Sequence, residues 1–137
     1  MGISTAPRAH DVRAVHDVRS WIQLLEAEGQ LRRVTAPVHW DVELSTITRH
    51  VLWAFGPTLL FENIRDHKRT SCRKLFTGSL GTYGRIALAL GLPTDTAERD
   101  IILRARELYK AKGDPVAVDR GRASLARNVL RGSDINL

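Results

Sequence analysis

Five histidines, a single cysteine and a scatter of carboxylates are the groups in this 137-residue chain that could do chemistry. His10, His16, His39, His50 and His67 are metal ligands by type. No two of them stand at the His-x-x-x-His spacing that sets two imidazoles on one helix face, and none forms a Cys-His cluster. His50 falls one position off the apolar face of a predicted helix, where a half-buried structural histidine is the ordinary outcome. Cys72 has Arg73 beside it, which could lower a thiol pKa, but no ordered set of Ser, His and Asp marks a nucleophile. Asp41 and Glu43 read as a helix cap and a first-turn acid that complements the helix dipole, and Glu26 and Glu28 as solvated helix positions. Gly78-Ser-Leu-Gly81-Thr-Tyr-Gly84-Arg85 follows a strand and opens a helix, the place where phosphates bind. It lacks the Lys-Ser/Thr of a P-loop and the glycine spacing of a dinucleotide fingerprint, so a glycine-permitted strand-to-helix turn is the simpler account. No residue is thereby assigned as catalytic, cofactor-binding or metal-ligating.

The elements that would position these groups follow from periodicity and punctuation. Residues 1–16 are polar, aperiodic and contain Pro7, which reads as a mobile leader. Asp17 caps a helix in which Val18, Trp21, Ile22 and Leu25 recur at helical spacing up to Gly29. Leu31 to Val34 is a strand. Asp41 caps a second helix, Val42 to Phe55, stopped by Gly56-Pro57. Thr58 to Ile64 is a nearly continuous apolar run that reads as a buried strand. Arg65 to Arg73 is a charged turn, Lys74 to Ser79 a strand, and Tyr83 to Leu90 a helix. Thr94 or Asp95 caps a last helix, Ala97 to Lys110, with Ile101, Ile102, Ala105, Leu108 and Tyr109 as its apolar stripe. The result is an α+β domain over 17–113, a small sheet with helices on one face. Its core should include Trp21, Leu25, Leu44, Ile47, Val51, Leu60, Phe61, Phe76, Ile86 and Leu90. Residues 114–137 are an extended tail. Its apolar residues are too sparse to offset the entropy of ordering it alone, so it should lie along the body or on a partner chain.

Composition bounds the function. With 43% hydrophobic and 26% charged residues, 10 Gly and 5 Pro, the chain is neither collagen-like nor wholly disordered. One cysteine makes neither an intrachain disulfide nor a multi-thiolate metal site and points to the cytoplasm. The start, Met1 to His16, has Arg and His but no apolar h-region, so no secretory signal is expected there, and no apolar run approaches the ~18–20 residues needed to cross a bilayer. The net charge of +6 suits a nucleic-acid or acidic protein partner. The arginines are nevertheless spread along the whole chain, and only 6% of residues are aromatic, not interleaved with the basic ones, which argues against nucleic acid.

Six segments in register resemble the UbiD-like family of prenylated-FMN-dependent decarboxylases, the polyprenyl-hydroxybenzoate decarboxylases. They are Asp17-Val-Arg-Ser-Trp-Ile-Gln-Leu-Leu-Glu-Ala-Glu-Gly-Gln-Leu31, Ala36-Pro-Val38, Asp41-Val-Glu-Leu-Ser-Thr-Ile-Thr-Arg49, Pro57-Thr-Leu-Leu-Phe-Glu-Asn-Ile64, Arg85-Ile-Ala-Leu-Ala-Leu-Gly91 and Asn128-Val-Leu-Arg-Gly-Ser-Asp-Ile-Asn-Leu137. His39-Trp40 stands where the family often has a small polar or acidic stretch. The resemblance implies the N-terminal α/β domain of a much longer enzyme acting on aromatic or unsaturated acids. Prenylated FMN, a divalent metal (with K+ as an optional further ion) and a glutamate–arginine–glutamate set would lie in a central domain beginning after the segment resembled by Gly132 to Leu137. No cofactor or catalytic residue then belongs to this chain. Its partner would be the catalytic UbiD-like domain or subunit, in an oligomer and with no membrane. The expected partner interface is Arg120, Arg122, Arg127, Asn128, Arg131, Asp134 and Leu137, whose arginines could meet acidic groups or cofactor phosphate across the junction. The competing reading is a free-standing basic module that binds nucleic acid or an acidic protein.

Overall fold

A computed structural model describes residues 15–67, 69–70, 72–111, 113–123 and 129–135. Among them the chain forms four helices and three strands. The first helix, α1 (Val18–Ala27), starts at a reciprocal cap. Asp17 Oδ1 accepts the Ser20 N–H at 2.8 Å, and Ser20 Oγ accepts the Asp17 N–H at 3.0 Å. Gly29 ends the turn at φ +66°, a conformation that costs a residue without Cβ nothing. Strand β1 (Leu31–Val34) follows at once.

The second helix, α2 (Glu43–Trp53), begins differently from expectation. Asp41 does not cap it through its carboxylate. Val42 sits at φ +57°, ψ −54°, the centre of a tight turn in which the Asp41 carbonyl accepts the Glu43 N–H at 2.6 Å. The backbone thus satisfies a donor that a side-chain cap would have taken, and the Glu43 carboxylate instead accepts the His39 N–H at 2.7 Å. At the other end the exposed Phe55, not a glycine, takes the left-handed position, φ +52°. Gly56 is used for closeness: a Cβ there would meet Val51 Cγ1 at 2.8 Å.

Strand β2 (Thr58–Phe61) lies in the middle of the sheet. It runs parallel to β1, with Leu31 beside Thr58 and Val34 beside Phe61, and antiparallel to β3 (Leu75–Thr77). The expected strand to Ile64 is shorter, although an isolated parallel bridge joins Val38 to Ile64. The helices do not share one face of this sheet. Side chains alternate along β2, so Leu59 and Phe61 pack with Leu44, Val38 and Ile64, backed by Ile47 and Val51 of α2. Leu60 points the other way, to Leu25, Leu31 and a residue of the next helix, Leu88, backed by Trp21 and Phe76. The helix carrying Leu88, α3 (Tyr83–Ala89), is capped by Thr82 Oγ1. Helix α4 (Glu98–Lys110) packs on α3. Its N-terminus at Ala97 has no side-chain cap, so neither Thr94 nor Asp95 serves; Thr96 Oγ1 instead donates to the Pro93 carbonyl at 2.7 Å within the preceding turn.

Of the predicted core, Leu25, Leu44, Leu60 and Phe61 are buried, and Trp21, Ile47, Val51, Phe76, Ile86 and Leu90 are half-buried. Leu31, Val38, Leu59, Ile64, Ala87, Leu88 and Ile101 join the core. No helix of the described residues is long and apolar enough to cross a membrane.

Candidate partner interface

The apolar stripe of α4 is where sequence and structure part most clearly. Only Ile101 is buried; Ile102 is 67% exposed and Tyr109 69% exposed. Leu103 and Leu108 are exposed as well. The helix is fixed to the body by Ile101 and by Arg104, whose Nε reaches the Leu90 carbonyl at 3.5 Å, so most of its stripe faces outward. The tail is exposed too. Val116 is 84% exposed, and Val118, Val129, Leu130 and Ile135 are all exposed. Within the tail the order is local: Asp119 accepts from the Arg122 N–H at 2.9 Å, and a single 3-10 turn covers Gly132–Asp134.

Four of the seven expected interface residues are described, and they sit on this exposed stretch. Arg120, Arg122, Arg131 and Asp134 are exposed and form no ion pair among the described residues. Arg127, Asn128 and Leu137 lie outside the described residues. Ile102, Leu108 and Tyr109 were missed as surface because amphipathic periodicity says that a helix has an apolar face, not what covers it.

The other candidate groups are placed as follows. His39 stacks on Trp40 with ring centroids 6.0 Å apart, and Trp40 meets His67 edge-on at 6.1 Å. The Trp40 and His67 rings border a groove of about 250 Å³ that also includes Cys72, Leu44, Ile64 and Leu75. The structure therefore brings His67 and Cys72 to one groove, with His39 stacked on the Trp40 that borders it. His50, expected to be half-buried, is exposed and lies edge-on to Trp53 at 6.4 Å. His16 donates its backbone N–H to Ser20 Oγ, and His10 is outside the described residues. No group of three His, Cys, Asp or Glu side chains converges on a common point among the described residues.

Glu26 and Glu62 form the charged network of the body. Arg33 clamps Glu26 through Nε at 2.7 Å and Nη2 at 2.8 Å, and gives Nη1 to Glu62 at 3.0 Å. Lys74 Nζ lies 2.6 Å from the same Glu62 oxygen. The Arg33 hydrogen bonds hold the Glu26 carboxyl below the ordinary glutamate range, and Lys74, then Arg33, do so for Glu62. The same bonds raise Arg33 further above its usual value. This network ties α1, β1, β2's exit and β3's entrance together.

The glycine-rich turn gives the least expected result. It is a strand-to-helix turn, as its glycines suggest, but Arg85 at its end is completely buried. Its Nη1 donates to the Gly56 carbonyl at 2.9 Å. Desolvation lowers its pKa from the ordinary arginine value. The available signal was phase: Arg85 stands three residues before Leu88, on the helix face that meets the sheet.

Four helices with a three-stranded sheet make an α+β fold that a known domain family shares. The chain belongs to that family: the model of the 3-octaprenyl-4-hydroxybenzoate carboxy-lyase N-terminal domain matches residues 22–105. Solved structures agree. The vanillic acid decarboxylase of Sedimentibacter hydroxybenzoicus in open form matches with TM-score 0.69 and 29% identity over 83% of this chain. The closed form of that enzyme gives the same three values. A further open-form structure matches with TM-score 0.61 and 29% identity over 78% of this chain. The match takes in 24%, 24% and 23% of the respective solved chains, so this chain spans about a quarter of their length.

Proposed function

We propose that this chain is the N-terminal portion, or a separate subunit, of a UbiD-like reversible decarboxylase of aromatic or unsaturated carboxylic acids. Its own role is to complete the enzyme's architecture and to form an interface, and the chemistry belongs to the rest of the assembly. The observation that carries this reading is the family match over residues 22–105, together with a structural match that takes in 24% of a solved decarboxylase chain.

Prenylated FMN with a divalent metal is the cofactor such an enzyme would use. It supplies the electron sink for the carbanion left by loss of carbon dioxide, which side chains seldom provide. The described residues do not fit that group: no three metal-ligating side chains converge, and the carboxylates of Glu26 and Glu62 are occupied by Arg33 and Lys74. No step is therefore assigned to this chain. What its residues offer is a surface: the outward face of α4 at Ile102 and Leu103, together with Val116, Val118 and the tail arginines. Apolar area of this kind with a cationic rim suits burial against a neighbouring domain that carries acidic groups. The partner is then the catalytic UbiD-like domain or subunit, in a cytoplasmic oligomer.

The test combines the purified chain with prenylated FMN, a divalent metal and a panel of aromatic and unsaturated acids, with and without the central and C-terminal domains of a UbiD-like decarboxylase. Stable association and turnover in the mixture only is the expected result. Stoichiometric flavin binding and turnover by the chain alone would overturn it, as would salt-sensitive binding to unrelated DNA with no affinity for those domains.

A further inference from the structure

Residues 65–74 hold five Lys and Arg against one Asp, a net +4 of the chain's +6, and the fold sets two of these cations on one cleft. The cleft, of about 440 Å³, is lined by Pro37, Asn63, Arg65, Asp66 and Arg69. Two backbone hydrogen bonds fix one wall: the Val38 N–H donates to the Asn63 carbonyl at 3.0 Å, and the Arg65 N–H to the Val38 carbonyl at 2.9 Å. Successive turns then return the chain to the cleft at Arg69, with the His67 N–H on the Ile64 carbonyl and the Thr70 N–H on the His67 carbonyl, each at 3.3 Å. Between the two arginines Asp66 sits at φ +65°, a left-handed position that aspartate tolerates better than most residues.

The charges of the cleft define what would fill it. Arg65, Asp66 and Arg69 are exposed and form no ion pair among the described residues, whereas Arg33 and Lys74 are taken by Glu26 and Glu62. Two guanidiniums around one cleft repel each other, and an anion between them replaces that repulsion with attraction. A phosphate monoester carries about two negative charges at neutral pH and has oxygens enough for both guanidinium forks. Asp66 and Asn63 ask for something else. A carboxylate only accepts hydrogen bonds, and Asn63 gives its Nδ2 to the Thr35 carbonyl at 3.1 Å, which leaves its amide oxygen as an acceptor. Both match hydroxyl donors, and the Asp66 charge opposes a bare anion. The volume suits a whole small molecule, since such sites run to roughly 300–1,000 Å³. No aromatic ring lines the cleft, so a nucleobase finds nothing to stack on.

We propose that this cleft binds a small phosphorylated sugar or polyol: its phosphate accepts from Arg65 and Arg69, its hydroxyls donate to Asp66 and the Asn63 amide oxygen, and its carbon skeleton lies against Pro37. Binding at this site belongs to the chain's own residues and stands apart from the decarboxylase reading.

The experiment is a nitrogen–proton NMR titration of the full chain at constant ionic strength and about pH 7.5, where a phosphate monoester is a dianion. Ribose 5-phosphate is the probe, and ribose, sulfate and inorganic phosphate are comparisons. The probe should shift the Asn63, Asp66 and Arg69 amides saturably and bind at least about fivefold tighter than each comparison. Arg65→Gln/Arg69→Gln should weaken it at least about tenfold, and either single change severalfold, which decides should the double variant fail to fold. Arg99→Gln/Arg106→Gln removes the same charge from exposed positions of α4 and should leave binding within about twofold. Asp66→Asn should lower the preference for ribose 5-phosphate over inorganic phosphate at least about threefold, because it removes the repulsion and the strongest hydroxyl acceptor together. No saturable shift, equal binding of any comparison, an equal loss in the α4 variant, or an unchanged preference in Asp66→Asn would each overturn the proposal. So would an RNA oligonucleotide that shifts the cleft and the Arg120 and Arg122 amides alike where ribose 5-phosphate shifts neither, the signature of a general polyanion surface.

Discussion

Residues 18–90 and residues 98–135 have similar appetites for burial and opposite fates. In the first region β2 is buried along its whole length, Leu59 and Phe61 facing α2 and Leu60 facing α1 and α3. In the second, an amphipathic helix and a tail with valines and leucines bury, among the described residues, one side chain deeply, Ile101. The difference lies in partners. A central strand offers two faces and each is met by a helix, whereas α4 packs chiefly on α3. Apolar periodicity is thus a demand for a neighbour, and the neighbour need not belong to the same segment of chain.

The largest effect that sharpens this contrast is Phe61→Ala, expected to cost about 3–5 kcal/mol because the ring is fully buried between β2 and α2. Leu25→Ala should follow at about 2–5 kcal/mol, on the opposite face. Urea titrations measure both; losses below about 1 kcal/mol would mean that the two-faced core is wrong.

A pH effect comes next. Glu26 and Glu62 titrate below the ordinary glutamate value of 4.5 when folded. Their contribution is fully present above that value and is lost as pH falls through the depressed folded values. Urea midpoints should therefore drop below about pH 4.5, and the drop should shrink in Glu26→Gln/Glu62→Gln and in high salt. An unchanged drop in the double variant would remove the Arg33–Lys74 network as its cause.

Thr82→Ala should cost about 0.5 kcal/mol, the low end for a helix cap, since its bond to the Arg85 N–H is 3.4 Å long. The smallest effects fall in the second region. Ile102→Ala and Val116→Ala should change the stability of the isolated chain by less than about 0.5 kcal/mol, as exposed positions do. The same changes should weaken association with the catalytic domains. Amide exchange in the isolated chain should likewise be fast over 116–123 and 129–135 and slow in α1 and β2. Losses at Ile102 or Val116 comparable to those at Leu25 would erase the contrast between the regions.

The sequence by itself determined the local elements of this protein. Asp17, Gly29 and the Gly56-Pro57 stop are short-range signals, and the helix or strand beside each is found where they put it, because capping and turn chemistry act within a few residues. The phase of Leu25, Leu44 and Phe61 was equally legible, since a period of two or 3.6 fixes which side chains share a face. The family motifs were legible too, as residues in order. Only the tertiary structure decided that the helices take both faces of the sheet, that Val42 and not Asp41 opens α2, and that the α4 stripe stays outside. It alone brought His39, Trp40 and His67 together and put Arg85 into the interior. Those outcomes depend on which surface is left over after the others have packed, and that is a property of the whole assembly of elements rather than of any one of them.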